Sequence, residues 1–226
     1  ARQAMRVLAE ARREQREQVH SARARLTDVL ARSQRLGNRS SEGYALHNLG
    51  VALARVGEPE AAIAHQTRAL DLGLTLRHGR LAGAALYHRA FAKLIVHDLD
   101  GARDDAEAAL PLVSGSTEEA SALTALAAVH AAFGELQRGL AAVARARSLW
   151  ETSGQRPELE AELLAGEVEL LDRAGEHERA RERRIAAIAS LVARAEALTD
   201  TPEEREVYLL GSPARARLLD GPTRAG

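Results

Sequence analysis

Histidine, aspartate and serine are the residues here whose types could do chemistry, and their spacing decides whether they do. Eight histidines offer imidazoles for a transition metal or for proton transfer. A helical zinc site needs two of them four residues apart beside a glutamate, and no such pair occurs. His88, His97, His130 and His177 fall at unrelated offsets, which reads as scattered surface or core histidine. The acidic cluster Asp98, Asp100, Asp104 and Asp105 lacks the glycine and distal glutamate of a calcium loop. Its first members read instead as caps of the helix that follows, whose N-terminus favours negative charge. Ser40, Ser41, Ser114 and Ser153 stand at turns, where hydroxyls cap helices, and none sits in the strand-turn-helix elbow of a nucleophile. There is no glycine-rich phosphate loop, and no cysteine to supply a thiol, a thiolate ligand or a disulfide. The expectation is a chain without catalytic residues, metal or cofactor.

Charge and hydropathy narrow the partners. Across 226 residues, 31 basic side chains face 32 acidic ones, a net charge of −1. No overall positive field gathers phosphate, so neither nucleic acid nor an acidic membrane is the expected partner. Apolar stretches are interrupted by Arg, Glu or His well short of the ~20 residues of a membrane span. Absence of cysteine fits a reducing compartment and hence a cytoplasmic protein. The charge is unevenly laid out: residues 1–40 carry ten arginines against Glu10, Glu14, Glu17 and Asp28, whereas 98–119 carry seven acids against Arg103. The basic stretch has no interleaved aromatics and no strong apolar stripe, so it reads as solvated surface. Every basic residue except Lys93 is arginine.

These side chains must be held by helices. Val, Ile, Thr and aromatics never gather into alternating runs, while all six prolines fall near breaks between Ala/Leu/Arg/Glu-rich segments. The breaks recur in two interleaved series. One runs through Leu36-Gly37-Asn38, His78-Gly79-Arg80, Ser114-Gly115-Ser116 and Ser153-Gly154-Gln155. The other passes Gly57, His97, Gly134 and Gly175 at spacings of 40, 37 and 41. Each period is a helix, a tight turn, a second helix and a turn onward. Ala62, Ala102, Gly139 and Ala180 stand five residues after those turns, and Ala69, Ala109, Ala146 and Ala187 seven further on. Seven residues is nearly two turns, so each pair shares a face on which another helix can approach closely.

The segment Leu46-His47-Asn48-Leu49-Gly50-Val51-Ala52-Leu53, with Gly57, Glu60-Ala61-Ala62-Ile63 and Arg68-Ala69-Leu70, resembles a tetratricopeptide (TPR) repeat nearly position for position. Later units keep the small residues but replace the glycine of the first helix by Ala90, Ala127 and Val168. They also exceed the family's usual length of about 34 residues, which implies longer helices. The resemblance implies an all-α fold: a right-handed superhelical array of antiparallel helical hairpins, a TPR-like α-solenoid, closed by a C-terminal capping helix. The expected organisation is an N-terminal helix or degenerate hairpin over 1–40, four hairpins at about 41–79, 80–115, 116–154 and 155–199, and cap helices and tail over 200–226. Thr201-Pro202-Glu203-Glu204 reads as a helix start and Ser212-Pro213 as a second. The tail residues Arg205, Tyr208, Leu209, Pro213, Arg217, Leu218 and Leu219 are similar to the end of large bacterial multidomain signalling proteins with an NTPase or kinase module ahead of TPR-like repeats. Ala1 opens in mid-pattern, as expected of a piece of a longer chain.

In such arrays the first helix of each hairpin lines an extended concave surface. The resemblance puts Tyr44, His47, Val51 and Arg55 there from the first hairpin, Tyr87, Phe91, Leu94 and Ile95 from the second, Thr124 and Ala128 from the third, and Glu169, Asp172 and Arg173 from the fourth. Tyr44, Tyr87 and Phe91 are the expected aromatic anchors, beside a cation; the alternative for Tyr87 and Phe91, four apart on one helix, is packing between hairpins as core. The implied function is non-catalytic: a sensor or scaffold region binding a protein or peptide segment in the groove. The alternative is a structural solenoid that self-associates or packs on an upstream domain.

Overall fold

A computed structural model of the chain describes residues 13, 21–152, 157–210 and 212–219, and no strand occurs among them. Helix α1 covers 21–35. It is followed by α2 (Arg39–Arg55), α3 (Pro59–Thr75), α4 (Gly79–Ile95), α5 (Leu99–Val113), α6 (Glu119–Ala132), α7 (Leu136–Thr152), α8 (Pro157–Arg173), α9 (His177–Leu198), α10 (Pro202–Leu210) and α11 (Pro213–Leu219). Residues 1–12 and 14–20 of the basic segment expected over 1–40, the turn at Ser153-Gly154-Gln155 and the last residues of the tail lie outside the described residues. The chain divides into two compact units: a central one, Gln18–Gly154, and a C-terminal one that contains 155–226.

One turn design recurs in both units. Gly37, Gly57, Arg77, His97, Gly134 and Gly175 all take left-handed backbone angles, with φ from 54° to 82°. The residue after each donates its N–H to the carbonyl five positions back: Asn38 to Ser33, Glu58 to Leu53, His78 to Gly73, Asp98 to Lys93, Glu135 to His130 and Glu176 to Leu171, at 2.7–3.0 Å. This closes the carbonyls that a helix end leaves open. In the central unit the same residue then starts the next helix. Asn38, His78 and Asp98 accept from the amides of Ser41, Leu81 and Gly101, and Pro59 stands where its missing N–H is not needed. Helices of 17 residues joined in this way repeat every 20 residues from α2 to α4. The sequence series through Gly79 is therefore shifted by two residues. Arg77 makes the left-handed turn, and Gly79 is already helical because His78 is the cap.

The small residues lie where the spacing put them. Ala62, Ala69, Ala102, Ala109, Ala146, Ala180 and Ala187 are at most 2% exposed, and Gly139 is buried. Glycines bring other helices closer still: a Cβ on Gly73 would stand 2.7 Å from the backbone nitrogen of Ala82, so α3 and α4 touch backbone to backbone. In the central unit α4 packs on α2, α3, α5 and α6, and residues 81–87 are buried without interruption. In the C-terminal unit α11 packs on α8 and α9, and α10 on α9. Ala214 and Leu218 join Ala161, Ala165, Val168, Ala187 and Leu191 in one apolar core, with Leu209 against it. Thr201 caps α10, accepting from the Glu204 amide at 3.2 Å while the Glu204 carboxylate accepts from the Thr201 and Asp200 amides. The array is all-α and TPR-like, with the tail helices closing its last hairpin.

Candidate functional site

Successive first helices α2, α4 and α6 of the central unit touch one another as well as their own partners α3, α5 and α7. A continuous face results. It is pinned from beneath at Gly50, where a Cβ would lie 2.6 Å from Gln66 Nε2. The space left by glycine admits the Gln66 side chain, 1% exposed. Its Nε2 donates to the His47 carbonyl at 3.0 Å and its Oε1 lies 3.1 Å from His47 Nδ1. Burial holds the His47 imidazole below its ordinary pKa, and the Gln66 hydrogen bond opposes that shift.

On α2 the expected residues reach the surface. Tyr44 is exposed, its hydroxyl 3.4 Å from His78 Nε2. His47 and Val51 are half-buried, and Arg55 is exposed in the last turn. On α4 the pattern is different. Tyr87 is 4% exposed and belongs to the core with Leu81, Leu86 and Val113, against which Phe91 packs half-buried. Of the two expected places for Tyr87, open anchor or packing between hairpins, its burial matches the second, and the cause is the central position of α4, which packs on α2, α3, α5 and α6. Leu94 is half-buried against Ala90, Ala102, Ala106 and Val129, and Ile95 is 54% exposed. Thr124, expected on the surface, is 5% exposed. Its hydroxyl returns to the Ala120 carbonyl at 2.9 Å, inside a helix built almost wholly of buried residues. Ala128 is half-buried.

Glu169, Asp172 and Arg173 lie on α8 of the C-terminal unit. Glu169 and Arg173 are exposed and form an i, i+4 pair at 3.8 Å. Asp172 turns to α9, meeting Arg184 at 3.2 Å and His177 at 3.5 Å. It is an intra-hairpin tie.

Two arrangements escaped the sequence reading. Arg89 clasps Asp105 through Nε and Nη2 at 2.7 Å each and donates to the Thr67 hydroxyl at 2.9 Å, while Lys93 reaches the same carboxylate at 2.9 Å. The available signal was Arg89 and Lys93 four apart on one helix, the latter being the single lysine of the chain. The other is a ring contact between His47 and His88, with centroids 5.1 Å apart, which no linear spacing announces. A cleft of about 200 Å³ between α2 and α3 is lined by Leu46 and Leu72 together with Arg39, Glu42, Arg68 and Asp71, so it presents both signs of charge. Among the described residues no group of three His, Cys, Asp or Glu converges to hold a metal ion. No helix among them is long and apolar enough to cross a membrane.

No protein-family model matches this sequence, and no curated protein matches it either. Solved structures match the fold. A crystal structure of a Podosopora anserina putative kinesin light chain with nearly identical TPR-like repeats superposes with a TM-score of 0.55, at 16% identity over 88% of this chain and 98% of that one. A single-substitution variant of the same protein gives a TM-score of 0.57, at 16% identity over 86% of this chain and 97% of that one. At this identity the likeness speaks to the fold: helical hairpins of the TPR-like kind.

Proposed function

We propose that the chain is a non-catalytic protein-interaction module that holds an extended or helical peptide segment on the face formed by α2, α4 and α6. The observation that carries this reading is the side-by-side packing of three successive first helices, which leaves half-buried apolar groups beside exposed polar ones on one surface. Tyr44, His47 and Arg55 supply the polar half of the contact, with Val51 between them. Phe91, Leu94 and Ile95 supply the apolar half, and Tyr87 and Thr124 support it from beneath. A peptide side chain buried against Phe91 and Ile95 would provide affinity, and Arg55 would fix orientation through a carboxylate. Glu169, Asp172 and Arg173 form a separate polar patch on the C-terminal unit. A cytoplasmic sensor or scaffold role in a larger bacterial signalling protein rests on the resemblance of the tail residues.

Peptides selected from a displayed library against the whole chain, then measured by calorimetry, test the proposal. Ile95→Asp and Arg55→Glu should each weaken a selected peptide by about tenfold or more. Ile185→Asp, at an exposed position of α9, should not. A library that yields no binder, or binding lost only with Ile185→Asp, would overturn the assignment. Self-assembly would then be the better reading, visible as a scattering mass that rises with concentration.

A further inference from the structure

The cleft of about 200 Å³ between α2 and α3 shares no lining residue with the face proposed above to hold a peptide. Its floor is Leu46 and Leu72, 1% and 6% exposed, and both belong to the core that contains Leu81 and Val113. Gly43 on α2 brings the two helices close there, since a Cβ on it would stand 3.6 Å from Leu72 Cβ. The floor is therefore fixed by core packing.

The rim carries two cations and two anions, and only part of that charge is engaged. Glu42 accepts from Gln34 Nε2 at 3.1 Å and has Arg39 at 3.8 Å. Arg68 and Asp71 are exposed, and among the described residues neither side chain has a hydrogen-bond or ion-pair partner. They stand three apart on α3 with the base before the acid, the less favourable order for a pair within one helix. The Thr75 hydroxyl donates to the Asp71 carbonyl at 2.7 Å, which leaves its oxygen as an acceptor one turn beyond the carboxylate. An ion of one sign would be drawn by one of these open charges and repelled by the other. A small zwitterion satisfies both. Three residues span about 4.5 Å of helix, so the two charges of the ligand must lie close together. A cleft of this size is below the roughly 300–1,000 Å³ of a site for drug-sized ligands, and the apolar floor asks for an aliphatic group.

We propose that this cleft binds a free α-amino acid with an aliphatic side chain of the size of leucine. The ligand carboxylate meets the Arg68 guanidinium, its ammonium donates to the Asp71 carboxylate and the Thr75 oxygen, and its side chain covers Leu46 and Leu72. The N-terminus of a peptide would bring the same ammonium and side chain, but an amide where Arg68 calls for a carboxylate. The occupied cleft ties α2 to α3 through one molecule. The site stands whether or not the face of α2, α4 and α6 holds a peptide.

Methyl NMR of the whole chain titrated with L-leucine tests the site. The Leu46 and Leu72 methyl signals should shift and saturate with a Kd on the order of 1 mM. Leucinamide, which lacks the carboxylate, and N-acetyl-leucine, which lacks the ammonium, should each bind about fivefold more weakly, the upper worth of a partly exposed ion pair. In Arg68→Gln the preference for leucine over leucinamide should vanish, and in Asp71→Asn the preference over N-acetyl-leucine. Both changes are at exposed positions, and should either variant fail to fold, the two blocked ligands on the native chain decide. The proposal is overturned if those methyls show no saturable shift at about 20 mM leucine, or if leucine and both blocked forms bind alike. Leucinamide binding as tightly as leucine, with N-acetyl-leucine weaker, would overturn the free amino acid in favour of a peptide N-terminus.

Discussion

The hairpins α4–α5 and α8–α9 are built on the same small residues yet wired with opposite charge. Ala102 and Ala109 on α5 correspond to Ala180 and Ala187 on α9, and all four are buried. In α4–α5 the bases Arg89 and Lys93 come from the first helix and the acid Asp105 from the second. In α8–α9 the acids Glu160, Glu167 and Asp172 come from the first helix, and Arg194, Arg183 and Arg184 from the second. Glu160 is 0% exposed and also accepts from the Ser190 hydroxyl at 2.5 Å. An ion pair needs only complementary partners across the crossing, so either helix can carry either sign. The volume at a close helix crossing has no such symmetry, and there the small residue must stay.

The largest effects should come from cutting the charge ties. Asp105→Ala leaves Arg89 and Lys93 together in a nearly buried site and should cost about 4 kcal/mol in urea unfolding. Glu160→Ala should cost less, about 3 kcal/mol, because Arg194 keeps the Ser190 neighbourhood and some contact with water. A reversed order would mean that the two hairpins do not share one logic. Replacing the pair together, Glu160→Leu with Arg194→Met, should be nearly neutral, since an apolar pair avoids the desolvation of both ions.

Next come the crossings themselves. Ala62→Leu and Ala180→Leu should each lower stability by about 2 kcal/mol, equally in the two units. A melting temperature unchanged for Ala180→Leu alone would confine the small-residue register to the central unit. Gly73→Ala belongs with them, because its new methyl would meet the backbone of Ala82 rather than a side chain that can turn aside.

A comparable loss, about 2 kcal/mol, is expected for Leu218→Ala, which empties the contact of α11 with α8 and α9. Truncation after Thr199 should exceed it. A truncated chain that melts at the parent temperature would make the tail helices dispensable and end the idea of a cap. The smallest effect should be Asn38→Ala, about 1 kcal/mol, the value of one side-chain cap.

The helical hairpins were legible because glycine, proline and alanine carry geometric information in their own structures. Gly57, Gly134 and Gly175 turn left-handed because a missing Cβ allows it. His97 was placed among them by period alone and does turn, at φ 61°. The turn read at Gly79 lies two residues earlier, at Arg77, since a left-handed arginine leaves no compositional mark. The tail start at Thr201-Pro202 was readable for the reason its cap forms: hydroxyl, fixed φ and first-turn carboxylate are all local.

The face was less legible. Exposure is a property of neighbours, and α4 has four of them. Tyr87 and Phe91, four apart, read alike in sequence, but one ring is enclosed in the core and the other is only half covered. Asp105 read as one more member of an acidic cluster until α4 brought two cations to it.

By itself, then, the sequence determined what depends on the chain's own backbone: helix as the only element, the period of the hairpins, the turn positions set by glycine, and the small faces on which helices cross. Tertiary structure alone decided which rings stay open, which acids are buried against which bases, and that His47 and His88 meet across two helices. Backbone preferences act within a few residues, where the sequence is its own environment. Burial and charge pairing depend on distances between residues far apart in the chain, and those distances exist only once the hairpins have stacked.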